Sequence, residues 1–355
     1  MKRFLGAFTA LVLFLSSFSL LVKASNDRQY LLDTISRLEM SEIPKTPQGV
    51  HHYLLICMDK WQNNPDNPGY NDGLVLLTLD ELSGRIIITS LIRDMLVIRP
   101  DGFPGRINRI VRQFGVNALL ETINRHFGLE VDKYILMDWR HIMEILDAVG
   151  GVDVRLTSDE IHYLKNWAVP ARSTQPELSK PGEYHLNGFA AVIYMRIRRY
   201  RASNDLDTND FGRTFRARNV FSSIAERLSK SADFYSSQQL LTTILGIWNQ
   251  PFDQNYAYSG ILNNHIFTVG ATPKDPGSRR ASTNISMSEF IEALRIAFAL
   301  RNSKVEQCRL PFDGTVKPFT YASSAGQLLD FKANRELLHE FMFTDSYIVS
   351  EEVLP

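Results

Sequence analysis

Three apolar runs of strand length follow one another between residues 53 and 92: YLLIC, LVLLTL and RIIITSLI. They do not alternate apolar with polar residues, as the strands of a one-sided sheet do. A strand that is apolar on both faces has to be covered on both faces, and the cover must be helical. The five residues DELSG between the second and third runs make a hairpin-type connection. Downstream, VNALLETINRHF (Val116–Phe127) and HIMEILDAV (His141–Val149) have helical periodicity and are closed by Gly128 and by Gly150-Gly151. Strand-like VDKYILM lies between them and VDVRL follows, whereas residues 157–182 read as irregular. The region 235–345 continues with helical patterns (EFIEALRIAFAL, ANRELLHEFMF) and a few strands, without an internal repeat. The expected fold class is α/β: one αβα domain over about residues 49–345, with a central mixed β-sheet covered by helices on both faces.

The N-terminus adds a compartment. Lys2 and Arg3 precede an uncharged run from Phe4 to Val22. That run is long for a signal-peptide core and just long enough for a membrane helix. Val22 and Ala24 suit a signal-peptidase site, so residues 1–24 read as a signal peptide cleaved after Ala24 or as a retained anchor. Residues 25–48 are polar, with a short helical pattern and then Pro44 and Pro47, and read as a juxtamembrane linker. In either case the positive flank stays inside and the remainder is exported. Basic and acidic residues balance at 39 each, which gives no electrostatic case for nucleic acid. The chain has no Gly-rich phosphate loop and no zinc-type spacing. Cys57 and Cys308 are too few for a disulfide framework, and Cys57 reads as a small buried hydrophobe.

The stretch from Tyr194 to Arg218 carries seven arginines and no lysine. A guanidinium binds phosphate or carboxylate oxygens bidentately and keeps its charge when partly desolvated. Val220, Ile224 and Leu228 recur at helical spacing, and Arg216 and Arg213 extend that stripe backwards to the helix N-terminus. There the backbone N–H groups already favour an anion. Arg213 and Arg216 are therefore expected to meet a phosphate, whereas Arg218, rotated off the stripe, is expected to be exposed and inert. Asp59, Asp72 and Arg93-Asp94 complete the set of polar residues at strand or helix ends.

Their order and spacing resemble the LytR–CpsA–Psr family of cell-wall phosphotransferases. The resemblance rests on LLICMD at Asp59, Tyr70–Gly73 around Asp72, Ser90–Asp94 (SLIRD) and Arg106-Ile107-Asn108. It rests most on Asp147–Val154 (DAVGGVDV), Leu186–Arg198 and Asp210–Arg216 (DFGRTFR), and it covers roughly residues 50–230. Asn71, Ile92 and Ala217 replace the family's usual arginine, proline and glutamine, and Trp61 replaces a basic residue. The resemblance implies an exported phosphotransferase. It would move a glycopolymer with one phosphate from a polyprenyl-pyrophosphate carrier, its lipid held in an apolar tunnel, to a peptidoglycan hydroxyl. Asp59 and Asp72 would hold Mg²⁺, and Arg93, Arg196, Arg198, Arg213 and Arg216 would grip the pyrophosphate. Arg93, Asp210 and Arg213 would be catalytic, with Asp210 orienting an arginine or acting as base. The partners implied are the lipid-linked glycan, peptidoglycan and the membrane surface. A non-catalytic binder of the same lipid, or a hydrolase of it, are the alternative readings.

Overall fold

The computed structural model describes residues 22–59, 69–166, 178–198, 200–202, 209–229, 258–262, 265–269 and 282–352. Of the residues 1–24 read as signal or anchor, 1–21 lie outside them, as does Trp61, and 22–24 open a helix. Six strands form the central sheet in the order β11-β6-β1-β2-β3-β12: β1 (Val50–Met58), β2 (Asn71–Asp80), β3 (Arg85–Leu91), β6 (Lys133–Asp138), β11 (Ser282–Thr283) and β12 (Val305–Leu310). Strands β1, β2 and β3 run antiparallel, whereas β6 and β12 are parallel to their neighbours β1 and β3. The sheet is mixed. As the unbroken apolar runs imply, both of its faces are covered.

On one face, Leu54, Ile56, Leu74 and Leu76 share a core with α1 (22–34), α3 (Val116–Phe127) and α9 (Phe331–Glu352). On the other, Cys57 and Met137 meet α4 (Trp139–Ala148), α5 (Ser158–Asn166, in the stretch expected to be irregular), α6 (Gly188–Arg196) and α7 (Asn209–Ser229). A smaller cluster joins Leu79 and Ile86 to Ile296 and Leu300 at α8 (Met287–Ala299). Each fully buried Leu or Ile contributes about 1.5–3 kcal/mol relative to exposure. The segment 25–48, expected to be a linker, places Leu31 and Ile35 in the first core. Within 235–345, β11 and β12 supply the two sheet edges. Both cysteines are free and buried, with two strands between β1 and β12. Burial pushes the Cys308 thiol up to about 11 and that of Cys57 well above its ordinary value.

Local chemistry fixes the helices that bear the polar site. Asn187 caps α6, its side chain accepting from Ala190 N at 3.0 Å, while Asp147 accepts from Gly188 N at 2.6 Å. A Cβ at Gly188 would lie 2.1 Å from the Met143 carbonyl oxygen, so only glycine lets α6 approach α4. The DAVGG and LNG motifs thus act on architecture: they set the helix that ends at Arg196.

Candidate active site

One end of the sheet collects the charged residues. Asp59 directly follows β1, and its N–H donates to the Tyr70 carbonyl at 2.9 Å. In the β1–β2 ladder Cys57 pairs with Gly73 but Met58 pairs with Asn71, which leaves Asp72 as an extra residue. Such a bulge re-aims a side chain, and here it turns Asp72 toward Asp59. Arg93 and Asp94 lie just past β3. Arg196 ends α6, Asp210 lies in the first turn of α7, and Arg213 follows one turn on.

Arg93 is the hub. Its Nη1 donates to Asp72 Oδ2 at 2.6 Å, and its Nε lies 3.7 Å from Asp94 Oδ2 and 3.6 Å from Asp210 Oδ1. Arg213 bridges Asp72 (3.6 Å) and Asp210 (3.3 Å), Arg196 reaches Asp59 at 3.4 Å, and Arg198, about half exposed, reaches Asp210 at 3.2 Å. Burial pushes the Asp59 carboxyl up; Arg196 opposes this, but the adjoining Asp72, which shares a hydrogen bond with it, pushes further. Burial likewise raises Asp94, against the pull of Arg93 and with help from neighbouring Asp210. Burial also opposes ionisation of Asp210, but Arg93, Arg213 and Arg198 prevail and hold it below the ordinary aspartate value. The site is thus two carboxylate pairs, Asp59·Asp72 and Asp94·Asp210, interleaved with guanidiniums.

Several buried polar atoms here make no hydrogen bond among the described residues: Arg93 Nε, Arg106 Nε, Asn108 Oδ1 and Trp139 Nε1. Buried donors and acceptors are rarely left so, and water or a polar ligand is what ordinarily meets them. Arg106 (3.0 Å from Asp94) and Asn108 (3.5 Å) are site residues that sequence reasoning missed, and Asp94 is noted there only as the neighbour of Arg93. They lay within the motifs at 90–94 and 106–108 but had been given no role. Trp139, which stacks on Arg196 at 5.0 Å, had no sequence signal.

Two expectations are corrected. Arg216 does not face the site. It is fully buried on the far side of α7, where Nε donates to Glu160 Oε1 at 2.6 Å, Nη1 to the Ile197 carbonyl at 2.7 Å and Nη2 to the Tyr200 carbonyl at 2.9 Å. With these donors engaged, it is a scaffold residue. Arg218, expected to be exposed, is buried and donates to Ser90 Oγ on β3. Helix α7 is wedged between α6 and β7 (Val152–Leu156) on one side and β3 and β12 on the other, so more than one stripe is buried.

Next to the charged pocket lies an apolar cavity of about 150 Å³, between β2 and β3 beneath and α7 and α8 above. Leu77, Ile88, Phe221, Ile224 and Leu294 line it, and Arg301 is the one charged residue in its wall among the described residues. Val75 lines both this cavity and the pocket of Asp72, Arg93, Asp210 and Arg213. A phosphate group and an apolar tail on one molecule could occupy the two together.

Residues 21–266 match the LytR_cpsA_psr family. The chain belongs to that family. It is similar to the polyisoprenyl-teichoic acid–peptidoglycan teichoic acid transferase TagV of Bacillus subtilis, at 26% identity over 218 residues, covering 58% of this chain and 53% of TagV. It is also similar to TagU of Enterococcus faecalis, named for the same transfer, at 24% identity over 226 residues, 63% of this chain and 68% of TagU. The chain thus matches only about half the length of TagV. In fold it is similar to TagT bound to LIIa-WTA, with a TM-score of 0.57 at 16% identity, covering 85% of this chain and 95% of TagT.

Proposed function

We propose that this LytR–CpsA–Psr protein is an exported enzyme that transfers a glycopolymer with one phosphate from a polyprenyl-pyrophosphate carrier to a peptidoglycan hydroxyl. The observation that carries this reading is the shared wall at Val75, which sets an arginine–carboxylate pocket directly beside an apolar cavity. A prenyl pyrophosphate has that same division of charge and apolar chain. The transferase names of TagV and TagU favour the same reaction class. The apolar run Phe4–Val22 would keep the enzyme at the outer membrane face or export it.

Arg93 and Arg213 lie deepest and would take the oxygens of the transferring phosphorus, with Arg196 and Arg198 on the flanking phosphate. The acceptor hydroxyl oxygen attacks that phosphorus, and the bridging P–O bond breaks. Its electron pair leaves on polyprenyl phosphate. The hydroxyl proton passes to the Asp94·Asp210 pair, where Asp94 is the better proton acceptor because its carboxyl is pushed up. Phosphoryl transfer asks mainly for such positioning and charge neutralisation. Asp59 and Asp72 are hard-oxygen ligands pressed together, and among the described residues no third Asp, Glu, His or Cys completes a metal cluster. That donor set fits Mg²⁺ sharing its remaining positions with water and substrate phosphate. When bound, the ion would neutralise charge developing on the phosphates.

The test supplies the full-length protein with a lipid-linked donor, a peptidoglycan fragment and Mg²⁺, and follows both products. Polyprenyl monophosphate together with a glycan–peptidoglycan adduct is expected. Monophosphate without adduct would make the protein a hydrolase, and tight binding without either product a non-catalytic receptor.

A further inference from the structure

Beside the charged pocket, three exposed rings are each partnered by an arginine. Arg28 Cζ lies 4.0 Å from the Phe103 ring centroid, Arg99 Cζ 5.9 Å from that of Phe114, and Arg112 Cζ 5.4 Å from that of Tyr70. Phe103, Phe114 and Tyr70 are 41%, 36% and 36% exposed, where rings of that size are ordinarily buried. The pairs are contiguous. Phe103 lies in the turn after β4 (Leu96–Ile98), with its carbonyl accepting from Arg99 N at 2.9 Å, while Arg99 Nη1 donates to Gln113, beside Phe114. Arg112 and Phe114 share the short helix α2 (Ile110–Phe114). Tyr70 precedes Asn71-Asp72 and accepts from Asp59 N through its carbonyl. Among the described residues no carboxylate pairs with Arg28 or Arg112, and Asp101 pairs with Arg99 at 2.8 Å, so the strip carries net positive charge.

Its two ends are informative. One end is Arg28, on α1, whose first turns at 22–26 are exposed and which continues directly from the apolar run Phe4–Val22. The other end is the mouth of the Asp59·Asp72 pocket. Aromatic rings and arginines side by side are the composition of a membrane headgroup layer, where the ring sits at the interface and the guanidinium meets lipid phosphate.

We propose that the strip Arg28–Phe103–Arg99–Phe114–Arg112–Tyr70 is a membrane-contact surface that lies in the headgroups of anionic phospholipid. It would hold the Asp59·Asp72 mouth at the depth where the pyrophosphate of a membrane-held donor emerges; this consequence, though not the contact itself, rests on the transferase reading.

The experiment uses the full chain in nanodiscs, with the environment-sensitive dye NBD on a cysteine introduced by Phe103→Cys. A control carries the dye through Lys304→Cys, at the opposite end of the sheet, where the side chain is 81% exposed. Cys57 and Cys308 are buried and will not compete for the dye. In discs containing phosphatidylglycerol the dye at 103 should shift to the blue and be quenched by nitroxide-labelled lipid, and the dye at 304 should do neither. Replacing phosphatidylglycerol by phosphatidylcholine, or adding molar salt, should at least halve the shift, because the attraction is screened. A water-like spectrum at 103 in all discs overturns the proposal; if soluble peptidoglycan fragments then move it, the strip belongs to the acceptor instead. The Phe103→Ser/Phe114→Ser variant should lose about fivefold or more in turnover of a vesicle-embedded donor and keep its turnover of a soluble short-chain donor. Equal loss on both donors would also overturn it. If even the unmodified protein turns over neither donor, the transferase reading fails and the dye result still decides the contact.

Discussion

The surroundings of Arg216 and those of Arg213 are built from the same residue types on one helix, and they differ in satisfaction. Around Arg216, one guanidinium meets one carboxylate, Glu160, and two backbone carbonyls, with both charged side chains fully buried. Around Arg213, guanidiniums and carboxylates alternate with irregular geometry, distances run from 2.6 to 3.7 Å about Arg93, and buried polar atoms go unmatched. The first arrangement is closed and contributes to the fold. The second is open and can gain from a ligand. Burial of an arginine therefore does not distinguish a scaffold from a site; the completeness of its hydrogen bonds does.

The strongest way to break this comparison is Arg216→Ala. It leaves the Glu160 carboxylate buried without its partner and should cost about 3–5 kcal/mol, read from urea unfolding. Pairing Arg216→Met with Glu160→Leu should recover most of that loss, because both buried charges then disappear. A cost below about 1 kcal/mol for the single variant would show that Arg216 is not structural.

Arg213→Ala should do the reverse. Affinity for a prenyl pyrophosphate, measured by calorimetry, should fall by about tenfold or more, with the unliganded protein as stable as before or more so. Burial and the neighbouring Arg93 both act against the charge on Arg213, so its removal relieves strain in the empty pocket. Parallel losses of affinity and stability would place Arg213 in the same class as Arg216.

Arg218→Ala sharpens the boundary between the classes. Loss of its bond to Ser90, whose side chain also lines the charged pocket, should cost about 1–3 kcal/mol of stability and change affinity little. A tenfold loss of affinity would extend the ligand site to this face of α7.

The smallest effect concerns pH. The Asp59 carboxyl is raised in the folded protein, so the folded state binds the proton more tightly than the unfolded one. Its ionised form is therefore destabilising at neutral pH, and the penalty disappears as pH falls through the raised value toward the ordinary aspartate value of about 3.9. Without divalent metal, Asp59→Asn should slightly raise Tm at neutral pH, with the advantage fading in acid. An advantage that grows in acid would mean that Arg196, not burial, dominates Asp59.

The apolar runs at 53–57, 74–79 and 85–92 required cover on both sheet faces, because a strand apolar on both sides leaves neither face for water. The helix at Val116–Phe127 was legible to the residue, since Gly128 ends it in the left-handed conformation (φ 66°). The residue types at Asp59, Asp72, Arg93, Asp210 and Arg213 could also be read as one constellation, because motif order survives in a linear chain. Three features could not be read this way. The helical wheel of α7 gave Arg216 and Arg213 the same direction, but their fates depend on Glu160, 56 residues away. The phase of α7 alone turns Arg218 off the buried stripe, but β3 covers it. Asp94, Arg106 and Asn108 acquire roles only through the hairpin of β4 with β5 (Pro104–Arg106), which brings Arg106 to Asp94 just past β3. Periodicity and motif thus determined the elements and the chemical inventory, because those depend on neighbours in sequence. Which charges are closed into the fold and which stay open to a ligand was decided by tertiary structure alone, because hydrogen-bond satisfaction depends on partners the chain brings from far away.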